Sequence, residues 1–211
     1  MIPPRGTRVP ASALALVLWG ALPTAGLSQT IPSSGLSLWV SADQGVTTDG
    51  SGNVSAWDDR SASNNDLLQA TAGARPLFVS SGFNGLPVLR FDGTDDFLLF
   101  TTRLPNVRTV FWVVKESSSA PANSGRFILG DGGTYDFHAG ANLWDPTYVS
   151  SSIRDGVTRI NGAVINGTAT DRPKTMSVIS LITTGNVAAD AFSRDRSYGR
   201  SWWGDLAELI I

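Results

Sequence analysis

The sequence of 211 residues contains no cysteine. The protein therefore has no thiol nucleophile, no disulfide framework and no cysteine ligand for zinc. Its fold must depend on the burial of apolar surface alone. This is sufficient at such a length, because a domain near 150 residues already buries roughly 70% of the surface of its extended chain.

Glutamate and histidine are also scarce, and this limits the catalytic chemistry. The only glutamates are Glu116 and Glu208, which stand 92 residues apart. A retaining glycosidase needs two carboxyl groups about 5 Å apart, which neighbouring positions in a sheet can provide. The single histidine, His138, is not accompanied by a Gly-x-Ser-x-Gly motif, so a strand histidine bonded to backbone is the favoured interpretation. The sequence therefore predicts that the protein is not an enzyme.

Long apolar runs are absent after residue 28. Before that point, Arg5 and Arg8 precede an uncharged apolar stretch that ends at Pro23, and small residues follow. This order is typical of a secretory signal peptide, and about a dozen apolar residues are too few for a membrane-spanning helix. We expect residues 1–28 to direct export to the cell surface or the medium, and the mature chain to have no membrane span.

Basic residues are fewer than acidic ones once the signal peptide is removed. Arg5 and Arg8 leave with it, so that 14 basic residues face 18 acidic ones and the formal charge is −4. An excess of acidic residues does not indicate binding of nucleic acid. Aspartate supplies 16 of the 18 acidic residues, and aspartate favours turns.

Short apolar segments separated by Gly, Asn, Asp and Ser fill the rest of the sequence, with no sustained helical periodicity. The Asn161-Gly162 pair predicts a tight hairpin, and residues 92–95 are expected to form the turn between two further strands. These features predict an all-β sandwich of two antiparallel sheets in one domain, residues 29–211. The expected strands are residues 36–40, 54–58, 76–79, 86–91, 97–101, 109–114, 126–129, 135–139, 157–161, 163–165, 178–182 and 206–211.

Three signatures occur in a fixed order along the chain. They are Leu36-Ser37-Leu38-Trp39-Val40 with Trp57-Asp58-Asp59-Arg60-Ser61, then Val88-Leu89-Arg90-Phe91-Asp92-Gly93 with Asp95-Asp96-Phe97-Leu98, and last Trp203-Gly204-Asp205-Leu206-Ala207-Glu208-Leu209-Ile210-Ile211. In this order they resemble the LamG-like (laminin G type) branch of the concanavalin A-like lectin/glucanase jelly rolls of bacterial secreted and surface proteins. The resemblance covers nearly all of the chain after residue 35 and implies a jelly-roll β-sandwich. The signatures mark strands and turns rather than an active site.

The resemblance implies a non-catalytic extracellular recognition module. Its ligand would be a glycan or a cell-surface or matrix protein, and the module would be a monomeric part of a larger secreted protein. A structural spacer or adhesion domain without a ligand of its own is the alternative. A divergent polysaccharide hydrolase or lyase is a further alternative, which the missing glutamate pair disfavours.

Aromatic residues beside acidic ones are the candidate sugar-binding groups, because a sugar has an apolar face and a polar rim. Trp144, Asp145 and Tyr148 have this composition in an expected loop. Trp202 is a second candidate, since Trp202 and Trp203 face opposite ways in a strand and one of them can be exposed. An anchoring role in the loop is an equal alternative for Trp144.

Asp92, Asp95 and Asp96 supply three carboxylates within five residues, a composition that suits calcium. The favoured alternative is that Asp92 caps a turn while the other two are solvated. We therefore expect no cofactor, with calcium as an open alternative.

The sequence ends on the apolar segment Leu206–Ile211 without a polar cap. In the resembling proteins this strand is followed by further sequence, so the resemblance implies that the domain continues beyond residue 211. We expect the segment to pair in the middle of a sheet with a strand near the N-terminus, because its backbone and apolar side chains both need partners.

Overall fold

The structure, a computed structural model, describes residues 31–121, 126–196 and 200–211. The expected signal peptide, residues 1–28, lies outside the described residues. Pro32–Ile211 form one unit of the chain.

Eleven β-strands dominate the described residues, and every pairing between them is antiparallel. The prediction of an all-β fold is confirmed. A 3₁₀ turn (Ala72–Ala74) and one helical turn, α1 (Ser151–Arg154), are the helical parts of this region, and neither is long enough to cross a membrane. The strands are β1 (Trp39–Ser41), β2 (Val46–Thr48), β3 (Val54–Trp57), β4 (Leu67–Leu68), β5 (Leu77–Phe83), β6 (Leu86–Asp92), β7 (Leu98–Glu116), β8 (Val157–Ile160), β9 (Ala163–Ile165), β10 (Ser177–Phe192) and β11 (Trp203–Ile210).

The longest strands, β7 and β10, pair with each other and run through both layers of the fold. Register shifts between Ile182 and Ala191 interrupt this pairing, and such irregularities bend a strand. Residues 111–116 of β7 pair with β11, whereas residues 99–100 pair with β4. All strands belong to one hydrogen-bonded sheet. Its ladders follow the order β5-β6-β11-β7-β10-β8-β9 in the first layer, where β1 pairs with the end of β11, and the order β2-β3-β4-β7-β10 in the second.

One hydrophobic core joins the two layers. Trp57 and Leu67 enter it from β3 and β4, while Trp112 and Leu209 enter it from β7 and β11, and all four side chains are fully buried. This arrangement is that of an all-β sandwich. The isolated bridge between Asn53 and Leu77 connects the edge of one layer to the other.

The C-terminal strand has the position expected from the sequence. On one side β11 pairs with β7, and on the other it pairs with β6 and then with β1. Trp39 faces Ile210 in the last of these ladders. The predicted hairpin at Asn161 and Gly162 is also confirmed, because both residues have the positive φ that such a turn requires and β8 pairs with β9.

Several strand predictions are wrong. Residues 98–101 and 109–114 are two parts of β7, since the residues between them continue to pair with β10, although with shifts in register. Residues 92–95 do not form a hairpin turn, because β6 pairs with β5 and β11 and not with β7. Residues 126–129 and 135–139 form no strand, although Phe127, Leu129 and Phe137 are buried. A buried segment that pairs with no other strand has the same apolar sequence pattern as a strand.

Candidate functional site

A cleft of about 730 Å³ lies across strands β5, β6, β11 and β7. The loop that carries the 3₁₀ turn borders it, together with the segment after β7. The side chains of this cleft include four cations, four carboxylates and a tryptophan. They are Arg75, Arg90, Lys115 and Lys174, then Asp92, Asp96, Glu116 and Asp205, and finally Trp203.

Three of these residues form a row across neighbouring strands. Asp205 of β11 lies directly opposite Arg90 of β6 on one side and Lys115 of β7 on the other. Directly opposed residues of antiparallel strands project from the same face. The next row along is Leu89, Leu206 and Val114, which is fully buried in the core. The row of Arg90, Asp205 and Lys115 therefore projects from the face opposite the core.

Asp205 is buried beneath the two cations. Arg90 binds it with two hydrogen bonds, from Nε to Oδ1 at 2.7 Å and from Nη2 to Oδ2 at 3.0 Å. The Lys115 ammonium lies 3.2 Å from Oδ2. The carboxylate side chain is 2% exposed, against 47% for Arg90 and 30% for Lys115. The hydrogen bond to Asp205 raises the pKa of Arg90 above its ordinary value.

Glu116 is held in the same manner at the end of β7. Arg172 Nε donates to its Oε1 at 2.6 Å, and Lys174 Nζ lies 2.7 Å from its Oε2. Lys174 also donates to the carbonyl oxygens of Ser117 and Ala120, at 2.9 and 3.2 Å. Glu116 and Asp205 are thus each bonded to one arginine and one lysine.

Trp203 is the aromatic residue of the cleft, and it is partly exposed. It opposes Asp92 in the ladder between β11 and β6, two positions from the pair of Asp205 and Arg90. The guanidinium carbon of Arg126 lies 5.7 Å from the centre of its ring. Gly93 is required beside it, because a Cβ there would lie 2.5 Å from the Trp203 Cβ, and Gly93 also has a φ of +79°.

Trp144 and Trp202, two of the candidate sugar-binding residues, are both buried and do not present a ring for stacking. Trp144 packs against Trp112 and Phe137 in the core, and its Nε1 donates to the Thr158 hydroxyl at 3.1 Å. Trp202 is completely buried, and its neighbour Trp203 is the one that reaches the cleft. The alternation rule identified the pair correctly but not which member faces outward.

Asp145 and Tyr148 lie together in one loop, away from the cleft. One Asp145 carboxylate oxygen accepts hydrogen bonds from the amides of Thr147 and Tyr148, at 2.8 Å each, and so caps a turn. The Tyr148 ring is exposed and lies edge-on to His138, with 5.4 Å between the ring centres. These two residues therefore belong to a separate surface from Trp203.

His138 does not have the backbone partners expected for it. Its Nδ1 lies 3.3 Å from an oxygen of Asp195, and its Nε2 lies 3.3 Å from Nη1 of Arg200. The ring is nearly buried and also contacts Tyr135 and Tyr148 edge-on. The histidine is thus fixed between an acidic side chain and a basic one.

The three aspartates proposed for calcium lie at one end of the cleft. Each of Asp92, Asp95 and Asp96 has an oxygen within 4.8 Å of the others, although only Asp96 is buried. Asp92 Oδ1 accepts from the amides of Thr94 and Asp95, and Asp96 Oδ2 accepts from the amide of Asp92. Burial raises the pKa of Asp96 to about 6. The hydrogen bonds show that the cluster shapes the loop between β6 and β7.

Sequence reasoning missed Arg90, Lys115, Asp205 and Trp203 as a set. A signal was present, since Arg90 and Asp205 are ionisable residues that lie directly beside apolar strand residues. Neither a protein-family model nor a curated protein nor a solved structure matches the chain.

Proposed function

We propose that this protein is a non-catalytic extracellular recognition module that binds a glycan in the cleft between the 3₁₀ turn and strands β6, β11 and β7. We also propose that it is a LamG-like jelly roll. The order of the three sequence signatures supports the family, and the composition of residues 1–28 supports export.

The single observation that carries the proposal is the partly exposed Trp203 in a polar cleft of about 730 Å³. Sugar-binding sites combine an aromatic ring, which packs on the apolar face of a pyranose, with side chains that bond its hydroxyl groups. Trp203 supplies the ring, and Asp92, Ser117 and Lys115 supply polar groups around it.

The state of Glu116 and Asp205 supports binding rather than catalysis by these two carboxylates. A glycosidase pair needs one carboxylic acid and one carboxylate that both reach the glycosidic bond. Glu116 and Asp205 are buried, and their oxygens are engaged by arginine and lysine. Hydrolysis is therefore not the function we propose.

The purified chain should be screened on glycan arrays and on insoluble polysaccharides. We expect Trp203→Ala to abolish binding to any glycan that the parent retains, with the melting temperature of each variant as a check on folding. The matched control is Tyr148→Ala, which removes an exposed aromatic ring outside the cleft and should bind as the parent does.

Two outcomes would contradict the proposal. Loss of binding in Tyr148→Ala but not in Trp203→Ala would move the site to the loop beside His138. Absence of any binding by a folded parent protein would favour a spacer or adhesion domain without its own ligand.

A further inference from the structure

Lysine is rare in this protein, and its distribution is uneven. The chain has only two lysines, Lys115 and Lys174. Both line the cleft, and each is paired with a buried carboxylate that an arginine also holds. Both lysines of the chain therefore lie in one cleft, together with Arg75 and Arg90.

The two lysines differ in the hydrogen bonds that they make. Lys174 Nζ contacts the Glu116 carboxylate and the carbonyl oxygens of Ser117 and Ala120, which occupies its three donors. Among the described residues, Lys115 Nζ contacts Asp205 Oδ2 at 3.2 Å. Lys115 therefore retains donors for a ligand.

Arg90, on the other side of Asp205, also retains hydrogen-bond donors for a ligand. Its Nε and Nη2 bind the two carboxylate oxygens, and in the described part of the chain Nη1 has no such bond. Two cations and one carboxylate leave the row with one positive charge. Because the carboxylate is buried and both cations are partly exposed, the cleft presents hydrogen-bond donors and positive charge at this point.

Trp203 lies on one side of the row of Arg90, Asp205 and Lys115. It projects from the same face two positions before Asp205, which corresponds to about 7 Å along a strand. Asp92, opposite Trp203, is exposed and can accept hydroxyl hydrogen bonds. The cleft thus offers a cationic end, an aromatic ring and an acceptor in a space comparable to one sugar residue.

We infer that Arg90 and Lys115 form a subsite for a singly charged anionic group, carboxylate or sulfate ester, on a sugar whose ring packs against Trp203. The inference rests on the proposed function and narrows its ligand to acidic glycans. Arginine supplies a planar pair of donors and lysine supplies a point charge, and hydrogen bonds to charged groups are stronger than those between neutral ones.

Matched glycans test the inference directly. Binding of the purified chain to polygalacturonate is compared by calorimetry with binding to its fully methyl-esterified form, and binding to a sulfated polysaccharide with binding to its desulfated form. We expect at least tenfold weaker binding to one neutral form than to its charged counterpart. The pair that shows this difference identifies the anion as carboxylate or sulfate.

The diagnostic variant is Lys115→Met. It removes the ammonium but leaves Asp205 bonded twice to Arg90, so the protein should remain folded. The control is Arg159→Met on β8, which removes one positive charge from the same face of the sheet, outside the cleft. We expect Lys115→Met to weaken binding of the acidic glycan about tenfold, and Arg159→Met to have little effect.

Chemical labelling gives an independent readout. With only two lysines in the chain, mass spectrometry after amine acylation reports each one separately. We expect Lys115 to react in the free protein and to be protected by the acidic glycan.

The outcomes separate the two proposals. Equal affinity for charged and neutral glycans, with loss in Trp203→Ala, would overturn the anionic subsite and leave the binding function standing. Binding of acidic glycans that is unchanged in Lys115→Met would also overturn the subsite. Binding of no glycan at all, or of acidic peptides only, would overturn both.

Discussion

Arg172 and Glu116 form an ion pair that is almost completely removed from solvent, with 2.6 Å between Nε and Oε1 and side-chain exposures of 2% and 3%. The arginine also donates to the carbonyl oxygens of Gly140 and Asn142 through Nη1. It thereby connects the end of β7 to the loop that precedes Trp144.

We predict that Arg172→Met lowers the free energy of unfolding by about 3 kcal/mol, because removal of one partner leaves a buried charge without its main counter-ion. Urea denaturation followed by tryptophan fluorescence measures the change. Lys174→Met is the control, since its side chain is 43% exposed and Arg172 still holds Glu116. We expect a loss of less than about 1 kcal/mol there. Equal losses of unfolding free energy in both variants would show that the burial of the ion pair does not determine its contribution to stability.

Trp144→Ala should destabilise the protein by about 3–5 kcal/mol, because it deletes a large side chain from the core and leaves the Thr158 hydroxyl without its donor. Tyr148→Ala, four residues away and exposed, should change stability by no more than about 0.5 kcal/mol. Both values come from chemical denaturation at a common temperature. A Trp144→Ala variant as stable as the parent would contradict the core position of this ring.

Asp96→Asn should make stability less dependent on pH. Burial raises the pKa of Asp96 from 3.8 to about 6, so the folded state binds the proton more tightly than the unfolded state does. Stability due to this group is complete below the unfolded pKa and is lost as pH rises to about 6. The asparagine variant cannot ionise and can still accept from the amide of Asp92.

We expect Asp96→Asn to exceed the parent by roughly 1 kcal/mol near pH 7.5, after allowance for solvent screening, and to match it near pH 4. Thermal melts across this range measure the difference. Asp95→Asn is the control, because Asp95 is exposed. A stability gain that is the same at both pH values would show that ionisation of Asp96 is not its cause.

Calcium should have little effect on stability. Melting curves in EDTA and in millimolar calcium are expected to coincide, because the carboxylates of Asp92 and Asp96 already accept backbone hydrogen bonds within their loop. A ligand at about a thousand times its dissociation constant would stabilise the folded state by roughly 4 kcal/mol. An increase of several degrees that disappears in Asp95→Asn would establish a calcium site at the cluster.

Local sequence patterns predicted the strands whose limits are set by neighbouring residues in the sequence. Alternation and turn residues located the strand of residues 54–57, the strand of residues 86–92 and the hairpin at Asn161-Gly162 within a few residues. They failed for β7, because nothing local shows that a polar stretch such as residues 101–106 continues a ladder whose partner lies far along the chain.

The residues of the cleft were harder to predict from the sequence than the fold was. Trp144 and Trp203 both stand beside polar residues, and their exposure is decided by the packing of distant segments. Arg90 and Asp205 are 115 residues apart, and their pairing follows only from the adjacency of β6 and β11. Composition predicted a polar and aromatic site in the loop of Trp144, whereas Trp144 is buried and the cleft that we propose contains Trp203 instead.

The position of β11 between β7 and the strands β6 and β1 has a consequence for how the protein reaches its native state. Trp39 and Glu208, whose side chains are bonded at 2.8 Å, are 169 residues apart. Such long-range contacts slow folding, because the entropy of closing a long loop is lost before the contacts form. As the chain enters the compartment in which it folds, the edges of β6 and of residues 111–116 of β7 that pair with β11 remain unpaired until residues 203–210 have also arrived. Protection of these edges from aggregation is thus a kinetic requirement of the fold, and chaperone dependence should be greatest just before the last strand emerges.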